Sequence, residues 1–449
     1  MNKKKNIFFF LVLIILTNCS FDKKTGFWDG NDEEKRQISE LEKAQSKTIS
    51  TKSIYLSESE YKTEKNLSQK IKLTKPQKNL AWETYGKNNQ NIVSNIHLSN
   101  IDNFFLKKKI GKNKFGLSKV TTNLLIYNNN IFVSDDTGTI YSVSQSGKIN
   151  WKKNIYKKIY KKFYKILSFS INKNNIFVSD NVGFIYALNI DTGKIIWIKN
   201  HGVPLKSKMK VFDSKIFLIN QDNRVLAINT NDGSMVWNFR SITSFIKSQN
   251  LLSLAISKNN DLIASTSTGD LLKINLKNGS LQWSLSTLKS SIIDATDFFQ
   301  SSDIVLDGED IIFSTQSSLF SYSLINGYMN WETNVDAIGQ PIINNGNIFL
   351  VTENGFFVIV DQSNGKIISS NNILKILKVK KQSTSILGFI MGSGKVYALT
   401  HNGYLITSSA LTGKTESSIK IADGFASNPV IVNGKMFLYT NKFKILGLN

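Results

Sequence analysis

Seven copies of one pattern constrain this chain more than any other feature. Gly147, Gly193, Gly233, Gly279, Gly327, Gly365 and Gly413 recur 38 to 48 residues apart. One copy runs Gly183-Phe-Ile-Tyr186-Ala-Leu-Asn-Ile-Asp-Thr-Gly193-Lys-Ile-Ile-Trp197. The first five copies place a tryptophan four residues past the glycine: Trp151, Trp197, Trp237, Trp283 and Trp331. The last two carry Ser369 and Ser417 there. Periods of this length belong to propellers and similar arrays. Each unit also has a first half, in which short β-rich runs flank Asp307-Gly308, Asn345-Gly346 or Asn433-Gly434. Those dipeptides suit type I′ hairpins, whose two central residues need positive φ. A unit therefore reads as four short antiparallel strands, and no stretch reads as a long amphipathic helix.

The expected fold is all-β, a single β-propeller of four-stranded blades, because radial repetition leaves only short sheet edges. Seven copies fill residues 120–420, and the tail from Ala426 supplies three more strands. A fourth strand from the N-terminal side, near Leu80–Glu83 or Phe104–Lys109, would close an eight-bladed ring. Seven blades is the alternative. The five tryptophans fall on the outermost strand of their blades, where a large ring covers the seam to the next blade. The seven glycines serve the turns, where backbone that other residues resist is needed.

Before the repeats the chain changes character. Lys3, Lys4 and Lys5 precede an apolar run from Ile7 to Leu16, the pattern of a secretory signal and too short for a confident membrane span. The run ends Leu16-Thr17-Asn18-Cys19, which resembles a bacterial lipobox, with residues 1–18 removed and Cys19 acylated. Asn18 departs from the small residue usual there. The alternative is an ordinary signal with an incidental cysteine. Residues 19–79 mix Lys, Glu, Ser, Thr, Asn and Gln with few large apolar side chains, the composition of a largely disordered tether. The propeller is assigned to residues 80–449.

Charge and cysteine content narrow the function classes. The formal charge is +23, carried by lysine: Arg36, Arg224 and Arg240 are the only arginines. Sequence-specific nucleic-acid readers lean on bidentate arginine, so no nucleic-acid partner is expected. Cys19 is the only cysteine, and His97, His201 and His401 lie far apart, so neither a disulfide nor a metal site of familiar spacing is expected. Two lysine-rich stretches, 157–165 and 375–381, read as solvated faces or as contacts with anionic lipid or a partner.

The repeat resembles the pyrroloquinoline-quinone-type propeller repeat, a motif specific for fold and poor for function. Within it, the lipobox, polar tether, single propeller and terminal closure resemble the BamB-like propeller lipoprotein of the outer-membrane β-barrel assembly machinery. The segment Trp82 to Asn95, with Tyr85-Gly86-Lys87-Asn88-Asn89, is similar to that family's entry segment. The resemblance implies a noncatalytic scaffold without cofactor, held to the outer membrane through lipid at Cys19 and facing the periplasm. Its implied partners are the POTRA region of the barrel-forming subunit and nascent outer-membrane proteins. By the same resemblance the partner-binding stretches are 241–249 and 292–302, with Phe245, Ile246, Lys247, Asp294, Asp297 and Phe298 as contact residues. Other readings are a periplasmic ligand- or polysaccharide-binding propeller and a quinone-dependent dehydrogenase. The dehydrogenase reading is weakened because no second cysteine and no acidic cluster suited to calcium is found.

Overall fold

The computed structural model describes Arg36 and residues 60–111, 114–115, 124–241, 251–287, 300–337, 339–377 and 384–449. Within them lie eight four-stranded antiparallel sheets, the blades of a propeller. Blades 1 to 7 occupy residues 125–154, 167–200, 210–240, 254–286, 305–333, 342–372 and 386–420, each a meander of four consecutive strands. Blade 8 takes three strands from residues 430–448, and its outermost strand is Phe104–Lys109, paired antiparallel to Lys444–Leu448. Of the two segments that the sequence offered for closure, the second makes it. Joining the two ends of the propeller within one sheet ties the ring shut through backbone hydrogen bonds.

Burial follows from position in the blade. The second and third strands are covered on both faces by neighbouring blades, so their apolar runs are continuous. Ile131, Phe132 and Val133 are essentially inaccessible, as are Ile348, Phe349 and Leu350. Most fourth strands are largely exposed, as in Ile149–Asn154 and Ile195–Asn200, whereas that of blade 6, Ile367–Asn372, is mainly buried. The first strands line the axis.

The repeated glycines and tryptophans meet across the seams between blades. Gly193 has φ +65°, and a Cβ there would lie 2.5 Å from the Trp151 ring of the preceding blade. Gly233, Gly279, Gly327 and Gly365 also hold positive φ, and each lies in the same way under one indole. A Cβ would come within 2.7 Å of Trp197 at Gly233, 2.7 Å of Trp237 at Gly279, 3.2 Å of Trp283 at Gly327 and 2.6 Å of Trp331 at Gly365. Turn conformation, the reason legible in the sequence, is therefore half of the constraint on these glycines, and close approach of the neighbouring blade is the other half. The indole Nε1 of Trp151, Trp197, Trp237 and Trp331 donates to a backbone carbonyl of the next blade at 2.8–3.1 Å. That of Trp283 has no acceptor among the described residues. Gly147 faces Leu106 of the closing strand, and Gly413 faces Ser369.

The serine in blade 6 has a local reason. Lys65 pairs with Ser370 along the outer edge of that blade, Ser369 Oγ donates to Lys65 O, and Ser370 Oγ donates to Tyr61 O. An N-terminal strap lies there, and a small side chain admits it. Residues 60–79, assigned by composition to the tether, therefore include buried Tyr61 and Ile71.

Two hairpins follow the expected turn: Asn345-Gly346 and Asn433-Gly434 both hold positive φ at both residues. Asp307-Gly308 does not. Asp307 is the last strand residue, and only Gly308 takes positive φ, so that turn is shifted by one position.

Candidate functional site

In an antiparallel meander the turns between strands one and two, and between three and four, fall on one rim of the ring. The other rim carries the second turn of each blade and the connections between blades. These are called here the turn rim and the connection rim.

The segment 74–99 closes the channel at the turn rim. It meets the innermost strands of all eight blades in order. Trp82 pairs with Ile126 of blade 1, and Thr84 with Ser170 of blade 2. Asn89 Nδ2 donates to Val211 O of blade 3 at 3.3 Å. Ile256 N of blade 4 donates to Asn89 O, and Leu306 N of blade 5 donates to Gln90 O. Asn344 of blade 6 donates to Ser94 Oγ, Ile96 bridges Gly392 of blade 7, and Asn433 N of blade 8 donates to Asn79 O. Inner strands leave backbone groups pointing at the axis, and this polar segment satisfies them.

Asn91 is the hub of the plug. Its buried Nδ2 donates to Leu254 O at 2.9 Å and to Ile304 O at 2.7 Å, linking blades 4 and 5. Its Oδ1 accepts from Lys210 Nζ at 2.5 Å, and its φ of +59° is a conformation asparagine tolerates well. Lys210 also donates to the carbonyls of Tyr85 and Asn88, each at 2.7 Å. Tyr85 crosses the channel. Its hydroxyl accepts from Asn428 Nδ2 of blade 8 at 3.2 Å, and its ring lies 3.7 Å below the Lys208 ammonium. Lys208 is paired with Asp303 at 2.5 Å. Burial opposes the Lys208 charge, but Asp303 and Tyr85 outweigh it and carry its pKa upward, so the ammonium stays charged at neutral pH.

Among the described residues Lys210 has no carboxylate within salt-bridge distance, and burial pushes its ammonium down to about 7. An exposed lysine titrates near 10.4, roughly, so between pH 7 and 10 the unfolded chain binds more protons than the folded one. The stability that Lys210 contributes is greatest above the unfolded value and falls as pH drops towards 7. Raising the pH through that window is expected to stabilise the wild type relative to Lys210→Met, read from urea midpoints. Parallel pH profiles would contradict the assignment.

Above the plug, a shallow recess opens toward the connection rim. Its floor is Trp82 and Tyr85, and its wall includes Leu125, Ile342, Phe389 and Val430. It is mainly apolar, with Gln340, Ser427 and Asn428 as polar groups. Among the described residues, no three His, Cys, Asp or Glu side chains are grouped to hold a metal ion.

Phe245, Ile246, Lys247, Asp294, Asp297 and Phe298, with Cys19, lie outside the described residues. The stems of the two stretches are described. Ser241 is buried, and its N–H donates to Asn223 O. Thr287 donates through N–H and hydroxyl to Gly269 O, the latter at 2.6 Å. The two stems, Ser241 at the end of blade 3 and Thr287 at the end of blade 4, thus lie on neighbouring blades at the connection rim. The plug residues Lys208, Lys210, Asn91 and Asp303 were not foreseen. One signal was present: Lys206, Lys208 and Lys210 alternate on the way into blade 3, and extended backbone points all three to one side.

With the geometry in place, comparison with known proteins is informative. The family model described as outer membrane protein assembly factor BamB matches residues 136–371, more than half of the chain. The BamB of Yersinia pestis is 20% identical over 273 residues, covering 55% of this chain and 65% of that protein. An uncharacterised protein of Rickettsia prowazekii (strain Madrid E) is 22% identical over 185 residues, covering 40% of this chain and 44% of its own. The chain thus spans less than two thirds of the length of these relatives. The crystal structure of BamB from Moraxella catarrhalis superposes with TM-score 0.59 at 9% identity, over 76% of this chain and 99% of that one. The crystal structure of quinohemoprotein alcohol dehydrogenase from Comamonas testosteroni superposes with TM-score 0.64 at 12% identity, over 82% of this chain and 80% of that one. At such identity these structures share the fold alone. The family match carries more: the chain belongs to the family of the outer membrane protein assembly factor BamB.

Proposed function

We propose that this protein is a noncatalytic scaffold of outer-membrane protein assembly. It binds the periplasmic POTRA region of a barrel-forming subunit and assists insertion of β-barrel proteins. It is anchored through acylated Cys19 to the outer membrane and faces the periplasm. The observation that carries the reading is the plug. The axis of the ring is filled at one end by the chain's own segment, which leaves the connection rim as the broad surface for recognition. Loops held on a rigid scaffold are where such recognition resides. The rim offers two neighbouring connections on fixed stems, and the proposed contacts Phe245, Ile246, Lys247, Asp294, Asp297 and Phe298 belong to them.

A second reading, a ligand-binding propeller, is favoured by the apolar recess floored by Trp82 and Tyr85. Gentle detergent extraction of the tagged, full-length protein separates the two. The scaffold predicts recovery of a POTRA-containing barrel protein at a stoichiometric level. Recovery of the folded protein without such a partner would overturn it and favour the recess.

A further inference from the structure

The connection between blades 1 and 2 has a construction that the scaffold role does not use. It contains a short 3-10 turn, Lys158–Lys162, on the connection rim. Three large side chains stand in solvent: Ile159 is 67% exposed, Phe163 62% and Tyr164 45%. They are held outward. Tyr156 donates its hydroxyl to buried Asp180 at 2.6 Å, and the Tyr160 ring packs edge-on against Phe184 at 5.4 Å. Lys165 is buried and clamps the loop from beneath, donating to Tyr160 O at 2.5 Å and Phe163 O at 2.6 Å. A loop tied at both ends in this way cannot fold its apolar tip back onto the blade.

The exposed charge on the tip and its adjoining strand is lysine, whereas the nearby Asp135, Asp136 and Asp180 are buried. Residues 137–179 hold nine lysines and no aspartate or glutamate. Lys157, Lys158 and Lys162 flank the apolar side chains, and Lys152 and Lys153 are exposed on the adjoining outer strand. A convex apolar tip ringed by lysines matches a bilayer interface. Acyl chains take the apolar groups, and lysine stems reach back to anionic headgroups. A protein partner for a protruding tip would need a complementary groove, whereas a lipid surface needs none. The described chain also reaches this rim at its N-terminal end, where Tyr61 hydrogen-bonds Asp336 in the connection between blades 5 and 6.

We propose that residues 156–164 form a membrane-interface anchor, in which Ile159, Phe163 and Tyr164 enter an anionic phospholipid surface and Lys157, Lys158 and Lys162 bind its headgroups. The anchor acts independently of acylation at Cys19, and it would set the orientation of the ring relative to the lipid.

The full chain with Cys19→Ser can be neither acylated nor labelled, which makes it a clean background. Phe163→Cys in that chain takes an environment-sensitive dye at the tip, and Lys277→Cys takes it on the opposite rim. Vesicles of phosphatidylethanolamine with phosphatidylglycerol should blue-shift the dye at 163 and not at 277, and vesicles of phosphatidylcholine should do neither. Combined Ile159→Ser, Phe163→Ser and Tyr164→Ser should weaken cosedimentation with the anionic vesicles by about tenfold or more, as should Lys157→Gln, Lys158→Gln and Lys162→Gln. No shift at 163 would overturn the proposal, as would equal shifts at both sites or cosedimentation indifferent to the serine variant. A shift at 163 caused only by an acidic protein partner would overturn it in favour of a protein interface.

Discussion

Gly403→Ala is expected to destabilise the propeller by about 4 kcal/mol or more, while Gly346→Ala costs about 1–2 kcal/mol. Both glycines hold positive φ, +91° and +74°. The difference lies in what a methyl group would meet. At Gly403, at the start of a blade 7 strand, the new Cβ would sit 1.9 Å from Ala422 O and 2.5 Å from its carbonyl carbon. Those atoms are backbone, and the same stretch is tied down by Ile421 N donating to Gly403 O at 3.0 Å. Neither side can yield without opening the link between blades 7 and 8. At Gly346 no atom lies within 4 Å, so only the left-handed conformation is penalised. Urea midpoints at unchanged slope give the comparison directly. Equal losses would mean that conformation alone, and not close approach, fixes Gly403.

Asn91→Ala is expected to cost about 3–5 kcal/mol, because it strips partners from three buried groups at about 1–3 kcal/mol each, with partial relaxation. Leu254 O and Ile304 O lose their donor, and Lys210 Nζ loses one of its three oxygens. Asn91→Gly removes the same bonds while easing the +59° φ. It should therefore fall within about 1 kcal/mol of the alanine variant and lie on its stable side. A near-neutral Asn91→Ala would show that the plug is an ornament of the ring and no part of its cohesion.

The two effects come from parts of the molecule that differ in how openly the sequence displays them. Blade architecture is legible because it depends on residues with few substitutes. A turn glycine under a neighbour's indole, as at Gly193 and Trp151, must recur at every seam that uses the device. The closing strand was legible as a deficit, since the tail holds one strand too few. The plug was not. Its residues Asn79, Asn91 and Asn95 are buried, yet a run of asparagine and lysine reads as solvated chain. Their burial is stabilised by hydrogen bonds: Asn79 and Asn91 donate to carbonyls of the inner walls, and Asn95 donates to Thr74 O and accepts from Gly394 N; neither periodicity nor hydropathy reports such bonds. The strap at Tyr61 and Lys65 was hidden for the same reason, although Ser369 in place of tryptophan marked where it docks. The turn at Asp307-Gly308 slipped by one residue because a glycine can occupy either central position.

The placement of recognition at the connection rim, and not in the channel, is the claim on which the functional account rests. Photocrosslinking in intact cells tests it most directly, with a photoreactive side chain in turn at Lys247 and Asp297, at Tyr85 in the channel, and at Lys277 on the turn rim. The account predicts crosslinks to a POTRA-containing barrel protein from positions 247 and 297, and none from 85 or 277. Crosslinks from position 85 with silence at 247 and 297, in a protein that remains folded, would contradict it.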